Sequence, residues 1–133
     1  MLYGDEHVRR YQETDGEEGH DWNGTTVLIL TTTGRKSTQK RSSALIYQEY
    51  GDAYLVVGSK GGADTPPAWY LNLQADPAVE VQVRGDRFAA TARTAGDDEK
   101  PDMWSVMAKT WPQYDEYQQK TGRPIPVVVL ERR

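Results

Sequence analysis

The sequence predicts a mainly β protein with helices, in the α+β class, built as a small barrel of about six antiparallel strands. Short β-branched or alternating apolar runs recur along the chain, and two pairs of them are joined by Gly-Asp turns. Helical patterns fall between and around these runs without a regular alternation of strand and helix. A barrel is the most economical way for one chain of 133 residues to bury such strands.

Length and charge predict a single domain with an acidic leading segment. A chain of 133 residues has the size of one ordinary domain. We divide it into an N-terminal helical and acidic segment, residues 1–24, and a barrel, residues 25–133. Seven acidic residues and only two basic ones precede Asn23. The pattern over Asp5–Thr14 favours a short helix with Val8 and Tyr11 near one face, either laid on the barrel or acting as a partly mobile lid.

Metal chemistry is not predicted. The chain has no cysteine and two histidines. The acidic stretch Glu17–Asp21 would crowd its ligands on one short turn, and a solvated acidic turn is the better interpretation. We therefore predict no metal site, and any redox chemistry requires an organic cofactor.

Six runs are predicted as strands. The first is continuous and β-branched, which is typical of a strand buried on both faces. The second and third form a hairpin, and so do the fourth and fifth, because a Gly-Asp turn separates each pair. The fourth alternates valine with polar residues, as expected for a strand with one solvated face. The six are Thr26–Thr32, Ser43–Tyr50, Ala53–Gly58, Val79–Val83, Arg87–Thr94 and Ile125–Glu131.

Two helical regions interrupt the strands. Asp64 or Thr65 is the expected cap of the first helix, with prolines 66 and 67 in its first turn. Asp97 or Asp98 is expected to open the second helix, where apolar residues recur at helical spacing. Pro112 should break this helix and restart it.

A cluster of basic residues predicts an anion site. The chain carries a formal charge of −4, yet no acidic residue occurs between Trp22 and Gln48. Within that window lie four cations, Arg35, Lys36, Lys40 and Arg41. Such side chains make charge-assisted hydrogen bonds to phosphate and carboxylate. The alternative is a solvated hairpin loop.

Other candidate site features are the turn at Ser59–Gly62 and two groups of aromatic residues. The turn follows a strand, as phosphate-binding turns do, but its glycines are also explained by chain reversal alone. On the next helix, Trp69 is suited either to a flat ring ligand or to core packing, and Asn72 offers amide hydrogen bonds. Trp111, Tyr114 and Tyr117, spaced by three, predict a slot for a planar apolar substrate, to which a tyrosine donates.

Composition also bears on location and on partners. The sequence pI of about 5.2 argues against general nucleic-acid binding. The longest apolar runs are too short to cross a bilayer, and the N-terminus lacks the layout of a signal peptide. We therefore expect a cytoplasmic protein, with at most peripheral contact with the inner face of the membrane.

Five ordered motifs resemble one known family. They are LTTTGRKS at Leu30–Ser37, VGSKGG at Val57–Gly62, PAWYLNL at Pro67–Leu73, WPQYDEYQ at Trp111–Gln118 and IPVVVLER at Ile125–Arg132. The chain resembles the deazaflavin-dependent nitroreductases, also described as quinone reductases that use the reduced deazaflavin coenzyme F420. The resemblance covers nearly the whole chain.

The resemblance implies a split β-barrel, of the flavin-reductase or FMN-binding kind, that binds coenzyme F420. It implies that basic residues hold the anionic tail of the cofactor, namely Arg35, Lys36 and Arg41. Further cofactor contacts would come from Ser43, Ala44, Leu45, Ser59, Lys60, Gly62, Pro67, Trp69 and Asn72. The substrate-binding positions would be Trp111, Tyr114 and Tyr117, with Tyr114 and Tyr117 as catalytic residues.

The implied activity is hydride transfer from C5 of the reduced deazaflavin to a quinone or another electron-poor acceptor such as a nitroaromatic. A proton would arrive from Tyr114 or from water. Two alternatives remain open at this point: a non-catalytic deazaflavin-binding carrier or sensor, and an FMN-dependent reductase, although FMN is the less favoured cofactor. The expected assembly is a monomer or a homodimer.

Overall fold

The computed structural model describes all 133 residues, which form eight strands, four α-helices and one 3₁₀ turn. The strands are β1 (Asp21–Trp22), β2 (Thr25–Thr33), β3 (Lys40–Ile46), β4 (Gln48–Tyr50), β5 (Ala53–Val57), β6 (Ala78–Val83), β7 (Asp86–Thr94) and β8 (Val127–Arg132). The helices are α1 (Gly4–Glu13), α2 (Ala68–Ala75), α3 (Lys100–Thr110) and α4 (Gln113–Lys120), and the 3₁₀ turn is Lys60–Gly62.

The strands form one antiparallel sheet that curls back on itself. Its order is β1-β2-β6-β7-β8-β5-β4, and β3 pairs with β2. Since β3 and β4 are consecutive in the chain, they connect β2, next to one end of this path, with the other end through Tyr47. The Tyr47 N–H donates to the Thr26 carbonyl at 3.1 Å. The prediction of a mainly β, barrel-like fold with helices around it is confirmed.

The predicted single strand Ser43–Tyr50 is wrong in detail. The chain is already extended from Lys40 and divides at Tyr47 into β3 and β4. Ile46 pairs with Val27 of β2, whereas Gln48 pairs with Leu55 of β5. The chain therefore changes partner strand at Tyr47. Together with the short β1, which was not predicted, this division raises the number of strands from six to eight.

The predicted helix starts are also corrected. Helix α2 begins at Ala68, so prolines 66 and 67 precede it, and Asp64 instead accepts the Thr121 hydroxyl at 2.8 Å. Helix α3 begins at Lys100, later than expected, and Glu99 accepts the Gly96 N–H at 2.8 Å in the turn before it. The predicted interruption at Pro112 is confirmed, since α3 and α4 lie on either side of it.

Both faces of the sheet are buried, which explains the continuous apolar runs in β2 and β8. Alternate residues of β2 and β8 point into the barrel, among them Leu28 and Leu130, where Trp69 of α2 joins the core. On the outer face, Val127 and Val129 of β8 pack in the cluster that contains residues of α3 and α4. The outer face of β2 is covered by α1. Burial on both faces favours apolar residues, many of them β-branched, at successive positions of such strands.

Helix α1 is fixed to the barrel by Tyr11. This side chain is fully buried and packs on Val27 and Ile29. Its hydroxyl donates to the Val27 carbonyl at 2.9 Å and accepts the Arg84 N–H at 2.8 Å. The N-terminal segment is thus laid on the barrel. None of the helices is both long and apolar enough to cross a membrane.

We predict that Tyr11→Phe lowers the free energy of unfolding by about 1–3 kcal/mol, because the partly buried Arg84 N–H loses its acceptor. Urea denaturation of both proteins measures this difference. Tyr3→Phe is the control, since Tyr3 is 66% exposed. Equal losses in the two variants would contradict the role given to the Tyr11 hydroxyl.

Burial also raises the pKa of the Tyr11 phenol from 10.0 to about 12. The unfolded chain releases this proton first, so the contribution to stability is present below pH 10 and lost as the pH rises towards about 12. We expect a smaller decline for Tyr11→Phe than for the wild type, measured by urea denaturation between these two pH values. Identical declines would show that Tyr11 does not titrate with folding.

Candidate active site

A mainly apolar cavity, here called the large cavity, lies between β3, α1, α4 and the turn that follows β5. It has a volume of about 530 Å³, and 13 of its 22 lining residues are hydrophobic. Among the predicted cofactor residues, it is lined by Ser43, Ala44, Leu45, Ser59, Lys60, Pro67 and Trp69. All three predicted substrate residues, Trp111, Tyr114 and Tyr117, line it as well. The structure therefore brings together residues that are up to 74 positions apart, from Ser43 to Tyr117.

A second cavity of about 400 Å³ adjoins the first. Its walls are the loop after β2, the start of β3 and one side of α2. It contains the remaining predicted cofactor residues except Gly62, namely Arg35, Lys36, Arg41 and Asn72. Ser42, Ser43 and Trp69 line both cavities, so the two adjoin along β3.

The loop between β2 and β3 presents its cations without anionic partners. Arg35, Lys36, Lys40 and Arg41 are all exposed, and none of them takes part in any ion pair of the chain. Lys40 Nζ donates only to the Thr33 hydroxyl, at 3.3 Å. The loop therefore provides positive charge that the protein itself does not neutralise.

The backbone of this loop is held in place by Asn72. The Asn72 side chain is buried; its Oδ1 accepts the Arg35 N–H at 3.1 Å, and its Nδ2 donates to Thr32 Oγ1 at 3.2 Å. Across the loop, the Gly34 N–H donates to the Gln39 carbonyl at 2.8 Å. The amide of Asn72 is therefore occupied in fixing the loop that carries the cations.

The turn after β5 is an unusual backbone segment. Lys60, Gly61 and Gly62 all have positive φ, at 46°, 63° and 85°. A side chain at Gly62 would lie 2.7 Å from the Tyr117 carbonyl oxygen, so this glycine packs against α4 and does not line the cavity. Ser59 and Lys60 do line it, because the turn reverses the chain at the edge of the cavity.

Arg123 holds this turn, and its role was not predicted. Its Nε donates to the Ala63 carbonyl at 2.8 Å, and one terminal nitrogen donates to the Ser59 carbonyl at 2.9 Å. Both terminal nitrogens also contact the Gly58 carbonyl, at 3.3 Å. These partners lie about 60 positions away in sequence, so no local pattern around Arg123 indicates the contact.

An aromatic wall runs along one side of the large cavity. Trp111 closes α3, and its Nε1 donates to the Tyr117 hydroxyl at 3.4 Å. The rings of Tyr114 and Tyr117 meet edge to face at 6.2 Å. Trp22 of β1 packs on Trp111 at 6.0 Å and extends the wall towards α1. A wall of flat rings suits a planar ligand.

Tyr114 is one of the two predicted catalytic residues, and its hydroxyl is free. It is 5% exposed, and its hydroxyl forms no hydrogen bond within the protein, although the side chain lines the cavity. Burial raises the pKa of the Tyr114 hydroxyl. The hydroxyl therefore stays protonated at neutral pH and is available as a hydrogen-bond donor to a ligand.

Several lining residues were missed by the sequence interpretation. They belong to the N-terminal segment: Leu2, Tyr3, Gly4, Asp5, His7, Val8 and Trp22. The pattern of Val8 and Tyr11 over this segment predicted a helix laid on the barrel or a partly mobile lid, but none of its residues was assigned to the site. The same pair was a usable signal for the site, since a helix that buries one face must bring its neighbours close to the barrel.

Comparison with known proteins places the chain in one family. A family model described as F420H(2)-dependent quinone reductase matches residues 4–132. A relative from Mycobacterium tuberculosis, strain H37Rv, is named F420H(2)-dependent quinone reductase and is 44% identical over 131 residues, which are 96% of this chain and 88% of the relative.

Solved structures agree with this placement. One described as an F420-H2 dependent reductase is 40% identical, with a TM-score of 0.73, and the match covers 79% of this chain and 93% of the other. Another, described as a domain-swapped dimer, is 37% identical, with a TM-score of 0.76, and the match covers 93% of this chain and 96% of the other. This chain therefore belongs to the family of F420H(2)-dependent quinone reductases.

Proposed function

We propose that this protein reduces a quinone with reduced coenzyme F420, using the two adjoining cavities as one cofactor and substrate site. The observation that carries the proposal is that an aromatic, apolar cavity adjoins a cluster of unpaired cations. A flat deazaflavin ring with an anionic tail has the same two-part chemistry. The family membership supports the same activity.

The residues present fit the cofactor in both parts. Arg35, Lys36 and Arg41 would hold the anionic tail, because they have no protein anion as a partner. The ring would lie against β3 and the turn after β5, where the lining residues are Ser43, Ala44, Leu45, Ser59, Lys60, Pro67 and Trp69. Asn72 and Gly62 would contribute indirectly, by holding the basic loop and by packing the turn on α4.

When bound, reduced coenzyme F420 supplies a hydride to the acceptor. The contribution of the chain is to exclude water and to orient the acceptor against the cofactor. Trp111 and Tyr117 would pack on the faces of a planar quinone, and the Tyr114 hydroxyl would donate a hydrogen bond to a quinone oxygen. A nitroaromatic compound is flat and electron-poor as well, so we include it as a second acceptor for the same wall.

The direct test is titration of the purified protein with coenzyme F420 and, separately, with FMN, followed by oxidation of the reduced deazaflavin with menadione as acceptor. We expect binding of F420 in preference to FMN and oxidation that depends on menadione. Preference for FMN would overturn the cofactor assignment. Binding of F420 without oxidation would favour the non-catalytic carrier or sensor.

We predict that Lys36→Ala weakens the binding of coenzyme F420 about tenfold at low salt, because a charge-assisted contact is worth about 1.4 kcal/mol or more. The difference from the wild type should shrink at high salt, since exposed charges are screened. Quenching of tryptophan fluorescence measures the affinity. Lys109→Ala is the matched control, because Lys109 is an exposed lysine of α3 outside both cavities. A loss of equal size in the control would remove the assignment of the basic loop.

We predict that Tyr114→Phe lowers the turnover of menadione about fivefold, which corresponds to one lost hydrogen bond of about 1 kcal/mol. The affinity for coenzyme F420 should stay within twofold of the wild type, because the tail site is in the other cavity. Steady-state kinetics separates these effects. Tyr70→Phe is the control, since the Tyr70 hydroxyl bonds Thr94 at 2.8 Å, away from the cavity. An unchanged turnover in Tyr114→Phe would exclude a substrate contact by this hydroxyl.

A further inference from the structure

His7 is a buried histidine that lines the large cavity and has no role in the proposed cofactor and quinone contacts. It lies on α1, is 5% exposed and packs on Trp22 with ring centres 6.1 Å apart. Its side chain reaches the same cavity as Tyr114, from the opposite end of the aromatic wall formed by Trp22, Trp111 and Tyr117. The cavity therefore has a polar aromatic side chain at each end of this wall, His7 on α1 and Tyr114 on α4.

The hydrogen bond of His7 fixes its ring and its tautomer. His7 Nε2 lies 2.8 Å from the Gly19 carbonyl oxygen. Because a carbonyl only accepts, Nε2 carries the proton of this bond. Gly19 has φ of 103°, and a Cβ at this position would lie 2.9 Å from His7 Cδ2. The Cδ2–Nε2 edge is thus pressed against Gly19, and Nδ1 lies on the other edge of the ring.

The Nδ1 atom of His7 is not used by the fold. It forms no hydrogen bond. It is also not sealed inside the protein, because Arg10 Nε is the one enclosed side-chain nitrogen or oxygen without a partner. His20, the other histidine, is different, because its Nδ1 lies 2.9 Å from an Asp21 oxygen and its Nε2 lies 2.9 Å from the Tyr47 hydroxyl. Of the two histidines, His7 alone has a free ring nitrogen.

We propose that His7 is a catalytic residue whose Nδ1 contacts a quinone oxygen and delivers the proton of the reduction. The inference rests on the proposed function, since it assumes a quinone in the large cavity. Reduction of a quinone to a hydroquinone requires one hydride and one proton. The reduced deazaflavin supplies the hydride, which leaves the negative charge of a hydroquinone anion on an oxygen.

The proton transfer is balanced within the cavity. In the imidazolium form both ring nitrogens of His7 carry a proton. The Nδ1–H bond breaks, an O–H bond forms on the hydroquinone, and the electron pair of the N–H bond stays on the ring. Neutral His7 keeps the Nε2–H that donates to the Gly19 carbonyl, and its Nδ1 regains a proton from water. At the other end of the acceptor, the Tyr114 hydroxyl donates a hydrogen bond but keeps its proton, because burial raises the pKa of this hydroxyl.

The first test uses imidazole NMR of the ¹⁵N-histidine-labelled protein without cofactor, which is informative because the chain has only two histidines. We expect addition of menadione to shift the Nδ1 signal of His7 and to leave both signals of His20 in place. His20 is thus an internal control. Equal movement of both residues, or movement of neither at saturating menadione, would overturn the contact.

The second test compares His7→Phe with the wild type on two naphthoquinones of similar shape. Phenylalanine keeps a flat ring beside Trp22 but has no nitrogen. With menadione we expect turnover to fall on the order of 10²-fold, as for the loss of a general acid. With 2,3-dichloro-1,4-naphthoquinone the loss should be clearly smaller, because the anion of its hydroquinone is more stable and needs the proton less.

The two acceptors separate this proposal from its alternatives. A purely structural role of His7 would lower turnover of both quinones equally, and an unchanged rate with menadione would exclude His7 as the acid. The KM for reduced coenzyme F420 should be the same in both proteins, which reports an intact cofactor site. If the wild type itself oxidised no reduced F420 with either quinone, the proposed function would fail, whatever the variant does.

Discussion

The pairing of β2 with β3 is the constraint on which the rest of the site depends. This antiparallel ladder runs from Val27 opposite Ile46 to Thr33 opposite Lys40. One end of it is closed by the basic loop, and the middle of β3 forms the shared wall of the two cavities. A shift of one residue in this register would turn Ser43 and Leu45 to the other face of the sheet. The same ladder therefore sets both the place of the cations and the lining of the apolar cavity.

The acidic N-terminal segment forms no ion pair with the basic loop, and most of its acidic residues have partners elsewhere. Within the segment, Arg10 pairs with Glu6 and Glu18, at 4.0 and 3.5 Å. From the barrel, Arg87 pairs with Asp15 at 3.1 Å. All these groups are largely exposed, so each pair adds little to stability. Their effect is on the distribution of charge: the loop after β2 stays cationic in a protein whose formal charge is −4.

Local sequence patterns predicted the strands and the cluster of cations. Long-range contacts determine the features that were not predicted, such as the strand break at Tyr47. The β-branched run of β2 and the alternation in β6 indicate strands by themselves, and an acid-free window is visible without a structure. The break at Tyr47 was not predictable, because it depends on Ile46 and Gln48 having different partner strands. The cap of α2 was misplaced for a similar reason, since Asp64 accepts the hydroxyl of Thr121, far along the chain.

The polar side chains around the cavities divide into two groups by how their hydrogen bonds are used. Asn72 and Arg123 direct their donors to the protein backbone, which fixes the two loops at the edges of the cavities. The hydroxyl of Tyr114 and Nδ1 of His7 remain without protein partners, although both residues are almost completely buried. Neither atom is sealed off, because Arg10 Nε is the one enclosed side-chain nitrogen or oxygen without a partner, so both are accessible to a ligand. A fold that keeps two such groups in one cavity is better explained by a ligand with polar atoms at its edges, as a quinone has, than by packing alone.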